Sequence, residues 1–324
     1  ENPLICIINE KSYTESGGNF FDAPIGTGPY KVVRYVSGDR IELTKNENYW
    51  IEGQPHINNV VFRIITDSSS RAIEAESGGA DIVYDINAND IDRVAANPNV
   101  NLVTGLGTNT SYITFNTAKT PLDNPLVRSA IWYGIDQKSV IDIAYGNYGA
   151  VADGVISPGV EGRHPDLSAY FVERDVEKAK ALLAEAGYPD GLTLKISCTN
   201  SDQQRMDVCE GIQAQLAEVG INLELGFMEY NAWISNVTNG EAELAIYGFT
   251  ASTGEAGRVL MRWLPDYSES VIFSWKDDEY IELCNKAMRT IDDEERNQLF
   301  YRCQEILMES HVALPIWHKE INAA

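Results

Sequence analysis

Residues 175–200 read DVEKAKALLAEAGYPDGLTLKISCTN, residues 201–228 continue SDQQRMDVCEGIQAQLAEVGINLELGFM, and residues 229–250 close with EYNAWISNVTNGEAELAIYGFT. Asp175 is placed to cap a helix with the apolar stripe Val176, Ala179, Leu182, Leu183 and Ala186, and Gly187 stops it. Leu192, Leu194, Ile196 and Cys198 then alternate at the two-residue period of a strand. Val208, Ile212, Leu216 and Val219 return to helical spacing, ended by Gly220. Ile221, Leu223, Leu225 and Phe227 alternate once more. A helix over residues 232–238 leads to a third strand at 244–249. Strand, helix, strand, helix, strand predicts three parallel strands with right-handed crossovers. Ligands of such open sheets gather beyond the carboxyl ends of the strands. The loops there, Thr199-Asn200-Ser201 and residues 250–257, are polar and rich in glycine or hydroxyls, which places the candidate site.

Upstream, residues 30–36 and 40–45 read as two strands joined by Ser37-Gly38-Asp39, a hairpin turn. A strand at 60–65, a helix at 68–77 stopped by Gly78-Gly79, a strand at 82–84, a helix at 90–96 and a strand at 100–103 follow. That alternation predicts an α/β layer. Residues 105–109 are Gly-, Thr- and Asn-rich and read as a crossing into a second domain. Residues 124–145 are helical in pattern with a break at Gly134, and 151–166 form a long irregular loop. Downstream, helices are expected over 277–289 and 292–310, then an apolar strand at 312–317 returning to the first domain. The expected lobes are therefore 1–108, with about 311–324, and 109–310. Two crossings, near 107 and 311, would make a hinge.

A chain of 324 residues suits two domains, and 44% hydrophobic residues can fill their cores. The formal charge of −23, from 48 acidic against 25 basic residues, repels phosphate backbones and anionic headgroups and argues against nucleic acid as a partner. No run of about 18 apolar residues is present. The opening Glu1-Asn2-Pro3-Leu4 lacks signal-peptide character. Five scattered cysteines, Cys6, Cys198, Cys209, Cys284 and Cys303, read as buried free thiols, not as a disulfide framework or zinc site.

Catalytic and metal motifs are missing: no GxSxG elbow, no P-loop, no HExxH. His311 and His318 flank Pro315 and read as packing residues. The acidic clusters at 277–279 and 292–295 read as helix starts, where the dipole favours them. Neither an enzyme nor a bound cofactor or metal is expected.

The run Pro24-Ile25-Gly26-Thr27-Gly28-Pro29-Tyr30-Lys31, followed by Gly38-Asp39-Arg40 and Asn48-Tyr49-Trp50, resembles the dipeptide/oligopeptide-binding family of extracellular solute-binding proteins. So do Phe115-Asn116-Thr117, Pro121-Leu122-Asp123-Asn124, Val127-Arg128-Ser129-Ala130, Ile135-Asp136 and the helix ending in Tyr188-Pro189-Asp190-Gly191. The resemblance implies an α/β, two-lobed periplasmic-binding-protein-like (type II) fold with a hinge. It implies an extracytoplasmic, monomeric component, in the periplasm or on the cell surface as a lipoprotein, handing a small peptide to the permease subunits of an ABC transporter. It also implies a section ahead of Gly26 that is absent here, so the chain reads as a fragment. Peptide binders of the family place an aspartate after the strand-end aromatic. Aligning Phe249 with that aromatic puts Ser252 at the aspartate, and the arginine of dipeptide binders falls near Thr199 or Asn200. Residues 251–256 look instead like the run of glutathione-binding members. A nickel-chelate or other small-solute binder and a ligand-sensing receptor stay open as alternatives.

The expected ligand residues are Tyr112, Asn116, Thr199, Asn200, Phe249, Thr250, Ser252, Thr253 and Glu255. Glu255 has two readings. It grips a ligand amine, or it completes a capping box with Ser252.

Overall fold

The computed structural model describes residues 8–17, 19, 20 and 24–324, with the side chain of Asn147 left out; Cys6 lies outside the described residues. Two compact units form, one from residues up to Leu102 with Ala323–Ala324, the other from Val103–Asn322.

The first unit holds helix α1 (Glu10–Glu15), strands β1 (Tyr30–Val36), β2 (Arg40–Lys45) and β3 (Asn59–Arg63), and helices α2 (Ser68–Ser77) and α3 (Ala88–Ala95). The expected hairpin is present: β1 pairs antiparallel with β2 from Tyr30↔Lys45 to Val36↔Arg40, and Gly38 takes the positive φ of +74° its turn requires. β3 adds antiparallel to β2. α2 and α3 bury Ala72, Ala75, Ile91 and Val94. The strand expected at 82–84 shrinks to a single bridge, Tyr84 to Ala323.

The second unit runs β4 (Val103–Phe115), α4 (Pro125–Gly134), α5 (Gln137–Tyr145), β5 (Ala150–Val151), α6 (Val176–Glu185), β6 (Leu192–Thr199), α7 (Gln203–Val219), β7 (Ile221–Met228), α8 (Tyr230–Thr238), β8 (Leu244–Thr250), α9 (Gly257–Leu260), α10 (Asp278–Ala287), α11 (Asp293–Ser310) and β9 (Ala313–Ala323). Its sheet has the order β5-β9-β4-β8-β6-β7. β6 pairs parallel with both β7 and β8, as the alternation predicts. Acidic caps explain where helices begin. Asp175, Asp202, Asp277 and Asp292 each accept a bond from the third amide on, so part of the large negative charge sits where helix N-termini favour it. At the other end of α7, Gly220 adopts the left-handed cap.

Residues 105–109, read as a crossing, belong to the 13-residue strand β4, which begins where the second unit begins. At Gly107 a side chain would be tight: a Cβ would lie 3.1 Å from the Lys319 carbonyl on β9. The closing strand β9, expected to return to the first domain, pairs in the second unit's sheet between β5 and β4, and its last residue, Ala323, groups with the first unit, where it bridges Tyr84.

His311 ends α11 in the left-handed conformation, with φ of +48°. Its Nδ1 meets Ser129 Oγ at 2.8 Å, and its ring packs on Trp132 at 4.5 Å between centroids. Burial, and then the Arg128 charge, push its pKa down to about 4. The imidazole is thus neutral in the folded state, while the unfolded chain takes up a proton near pH 6.5. Stability is full above that value and is lost as pH falls from about 6.5 to about 4, by up to about 3 kcal/mol over those ~2.5 units. His311→Asn keeps a residue tolerant of this backbone and cannot titrate. Urea melts of both proteins at pH 7 and pH 4.5 should show a shallower pH dependence for the variant. Equal slopes would exclude His311 as the cause.

Candidate ligand site

Because β6 and β8 are parallel neighbours, their carboxyl ends share one edge of the second sheet. Thr199 closes β6 and is buried; its hydroxyl bonds Ser201 Oγ at 2.8 Å and accepts from the Ser201 amide at 3.2 Å. This local turn leaves Asn200 exposed, its backbone amide held by the Met228 carbonyl at 2.8 Å. At the end of β8, exposed Thr250 accepts from Asn109 Nδ2 at 2.9 Å, and Ser111 Oγ donates to Asn109 Oδ1 at 3.4 Å. Gly248 lies among them. A Cβ there would sit 3.0 Å from both Asn109 Oδ1 and Ser111 Oγ, so the glycine keeps this polar patch open.

The opposite face of β4 and β8 is aromatic. Tyr112 and Phe249 are 0% and 1% exposed, packed with Trp263 and Phe273 at ring separations of 4.7–6.0 Å. The Tyr112 hydroxyl donates to the Val155 carbonyl, and burial holds the phenol well above its ordinary pKa. The Arg262 guanidinium lies 4.5 Å over the Phe249 ring and pairs with Glu269. Tyr112 and Phe249 therefore form the floor beneath the edge, not its surface.

Past β8 the chain turns at residues 251–254, with Gly254 at φ +75° and its amide bonded to the Ala251 carbonyl at 2.9 Å. Ser252 and Thr253 are exposed. The capping box does not form: α9 starts only at Gly257, behind Ala256, which makes no side-chain cap. A contact distant in sequence displaces it. Glu161 donates to the Gly254 carbonyl at 2.9 Å and accepts from the Ala256 amide at 2.8 Å. The Glu255 carboxylate pairs with Arg296 Nε on α11 at 3.1 Å.

The structure thus brings Thr199, Asn200, Thr250, Ser252 and Thr253 to one edge, with Glu255 behind it. Asn116 is not among them. β4 runs antiparallel to β8, so Asn116 falls at the far edge, where its Nδ2 holds the Gly240 and Ala242 carbonyls at 3.0 and 3.3 Å. Asn109 and Ser111 join the edge without having been expected; Asn109 lies in the stretch 105–109 that read as a crossing. A second cluster also went unread. Arg205, in the first turn of α7, lies over the Trp233 ring at 5.6 Å, and Trp233 packs on Tyr247 at 5.6 Å. Burial, then the nearby Glu269, push the Tyr247 phenol up, against the Arg262 and Arg205 charges. The only sequence signal for Arg205 is its place three residues after the cap Asp202. Among the described residues no cluster of three or more His, Cys, Asp or Glu is arranged to hold a metal, and no helix is long and apolar enough to cross a membrane.

What the edge offers chemically is hydroxyl and amide groups, donors and acceptors suited to peptide bonds, over an apolar aromatic floor. Comparison with known proteins gives the family. A sequence profile described as bacterial extracellular solute-binding proteins, family 5 middle, matches residues 2–270. Heme-binding protein A of Haemophilus influenzae is 30% identical over 303 residues, 91% of this chain and 54% of its own length. Glutathione-binding protein GsiB of Escherichia coli is 27% identical over 335 residues, 100% of this chain and 64% of its own. The periplasmic binding protein DppA of Helicobacter pylori, solved with the peptide STSA, superposes with a TM-score of 0.85 at 27% identity, over 98% of this chain and 63% of that one. The chain thus spans between about half and two thirds of the length of these relatives.

Proposed function

This chain belongs to the bacterial extracellular solute-binding proteins of family 5, and on that premise we propose that it carries ligand-contact residues of an ABC importer's substrate-binding component, taking a short or modified peptide. The observation that carries the reading is the open polar edge at Gly248, where Asn109, Ser111 and Thr250 meet, with exposed Asn200 at the end of the parallel neighbouring strand. Relatives whose names record glutathione, or whose structure holds a peptide, support the ligand class. On this proposal the protein works outside the cytoplasm with membrane permease subunits as partners, as a monomer, and binds without catalysing.

Thr250 and Asn200 supply the hydrogen bonds to the ligand, whereas Glu255 has its charge engaged by Arg296 and contributes little. Calorimetric titration of the intact protein with short peptides separates these roles. Thr250→Val and Asn200→Ala should each weaken binding about 3–10-fold, the loss of one hydrogen bond of about 0.5–1.5 kcal/mol. Glu255→Gln should change affinity less than about fivefold, because a partly exposed ion pair is worth about 0–1 kcal/mol. A loss of tenfold or more with Glu255→Gln would restore this carboxylate as the amine anchor. Unchanged affinity in both strand-end variants would sink the proposed edge.

A further inference from the structure

β6 and β8 begin as paired neighbours and then part. Their parallel pairing is confined to Ile196↔Leu244 and Ser197↔Ala245, yet β6 runs on to Thr199 and β8 to Thr250. Beyond that point β6 keeps to β7, as far as Thr199↔Met228, and β8 keeps to β4, as far as Asn109↔Thr250. The sheet therefore forks at its carboxyl edge. α7 leaves β6 for one neighbour, β7, and α8 brings the chain back to the other, β8. Ligands of open α/β sheets gather at such openings.

Tyr247 stands on β8 just past the last paired residue, and Trp233 of α8 packs on its ring at 5.6 Å. Arg205 enters from the first turn of α7, its guanidinium carbon 5.6 Å from the Trp233 ring and 6.0 Å from that of Trp317 on β9. The three rings are buried and the Arg205 side chain is 19% exposed, so aromatic faces replace much of the cation's hydration.

This cluster is rich in donors and poor in acceptors. Arg205 Nε meets Asp202 at 3.2 Å, but among the described residues its two terminal nitrogens bond nothing. The buried Trp233 indole N–H has no acceptor. Nor does the Tyr247 hydroxyl, which burial keeps protonated and able to donate. The carboxylates nearby are engaged, Asp202 by Arg205 Nε and the amide it caps, Glu269 by Arg262. Folded proteins leave few buried donors unpaired. Three of them, from α7, α8 and β8, mark a place that an acceptor fills. With a guanidinium among them, the strongest acceptor is a carboxylate.

We propose that this fork is a subsite for a carboxylate of the ligand, with the Arg205 guanidinium as its cation and the Tyr247 hydroxyl and Trp233 N–H as neutral donors. The ligand class rests on the function proposed above; the subsite rests on the fork. Either the terminal carboxylate of a peptide or an acidic side chain has this chemistry. The formal charge of −23 repels anions at long range, so a preference for the acid form requires a local cation.

The intact protein is screened by thermal shift against three tripeptide libraries: neutral side chains with a free carboxyl terminus, the same set amidated, and an amidated set carrying one glutamate. Peptides that raise the melting temperature are titrated by calorimetry. Wild-type protein should bind one carboxylate-bearing library about tenfold or more tighter than the neutral amides, and which library it is names the source. Arg205→Gln should lose that preference and bind acids and amides alike, whereas Arg205→Lys, which keeps the charge, should retain part of it. Both variants keep the backbone amide that Asp202 caps. Thr250→Val should weaken all three libraries equally. Equal binding of acids and amides by wild-type protein overturns the subsite and leaves the peptide reading standing. So does an undiminished preference in Arg205→Gln. Binding of no library overturns the peptide reading, and this subsite with it. If the glutamine variant folds poorly, the wild-type comparison and the lysine variant decide.

Discussion

Phe249→Ala is expected to destabilise the second unit by about 3–5 kcal/mol, the range for deleting a large aromatic from a packed core. Phe249 is 1% exposed and touches aromatic rings on several sides: Tyr112, Tyr247, Trp263 and Phe273 at centroid separations of 5.3–5.9 Å. Removing it leaves a hole the sheet cannot collapse to fill, because its backbone is fixed by pairing with β4. It also exposes one face of the Arg262 guanidinium, which spends its other contacts on Glu269. For a unit of this size the melting temperature should fall by roughly 10 °C or more. Thermal melts followed by tryptophan fluorescence check this. A loss under about 1 kcal/mol, with affinity for peptides reduced tenfold, would instead make the ring a wall of the ligand site.

Gly191→Ala should cost about 2–5 kcal/mol, combining left-handed backbone strain with overpacking. Gly191 holds φ at +85°, and a Cβ there would lie 2.1 Å from the Gly220 carbonyl oxygen. That oxygen also accepts from the Leu192 amide at 3.1 Å, the bond that starts β6 beside β7. Backbone cannot swing aside as a side chain can, so the two strand starts must part. Gly187 is the control. Its φ is +97°, but nothing lies within 4 Å of its Cβ position, so Gly187→Ala bears strain alone. Urea denaturation should rank Gly191→Ala clearly below Gly187→Ala, and equal losses would rule out the contact.

The contrast between those two glycines also marks how far the amino-acid sequence could be read. Apolar spacing located β6, β7 and the end of α7 nearly to the residue, because each element's buried face is written in its own residues. The starts of α6, α10 and α11 were legible for the same reason, since an aspartate cap acts within three residues. What went unread depends on partners far along the chain. Gly107 looks like a loop residue until β9 comes to lie against it. Ser252 to Glu255 fits a capping box until Glu161 takes the backbone groups of Gly254 and Ala256. Asn116 stands at a strand end, but which edge that end occupies is set by the antiparallel pairing of β4 with β8. Tyr112 and Phe249 are aromatics near the expected edge, and only the packing of Trp263 and Phe273 over them decides that they are floor.

The central claim, that a peptide is held at the edge formed by the ends of β6 and β8, is tested most directly by hydrogen exchange on ligand-loaded protein. The intact protein is purified with whatever it retains from its producing cell, and that material is identified by mass spectrometry. Amide exchange is then compared before and after the ligand is stripped. The account predicts a peptide of a few residues, with amides of 199–202 and 248–254 slowing on its return while those around Asn116 do not change. A retained metal chelate or sugar, or protection at the Asn116 edge with none at Thr250, would contradict it.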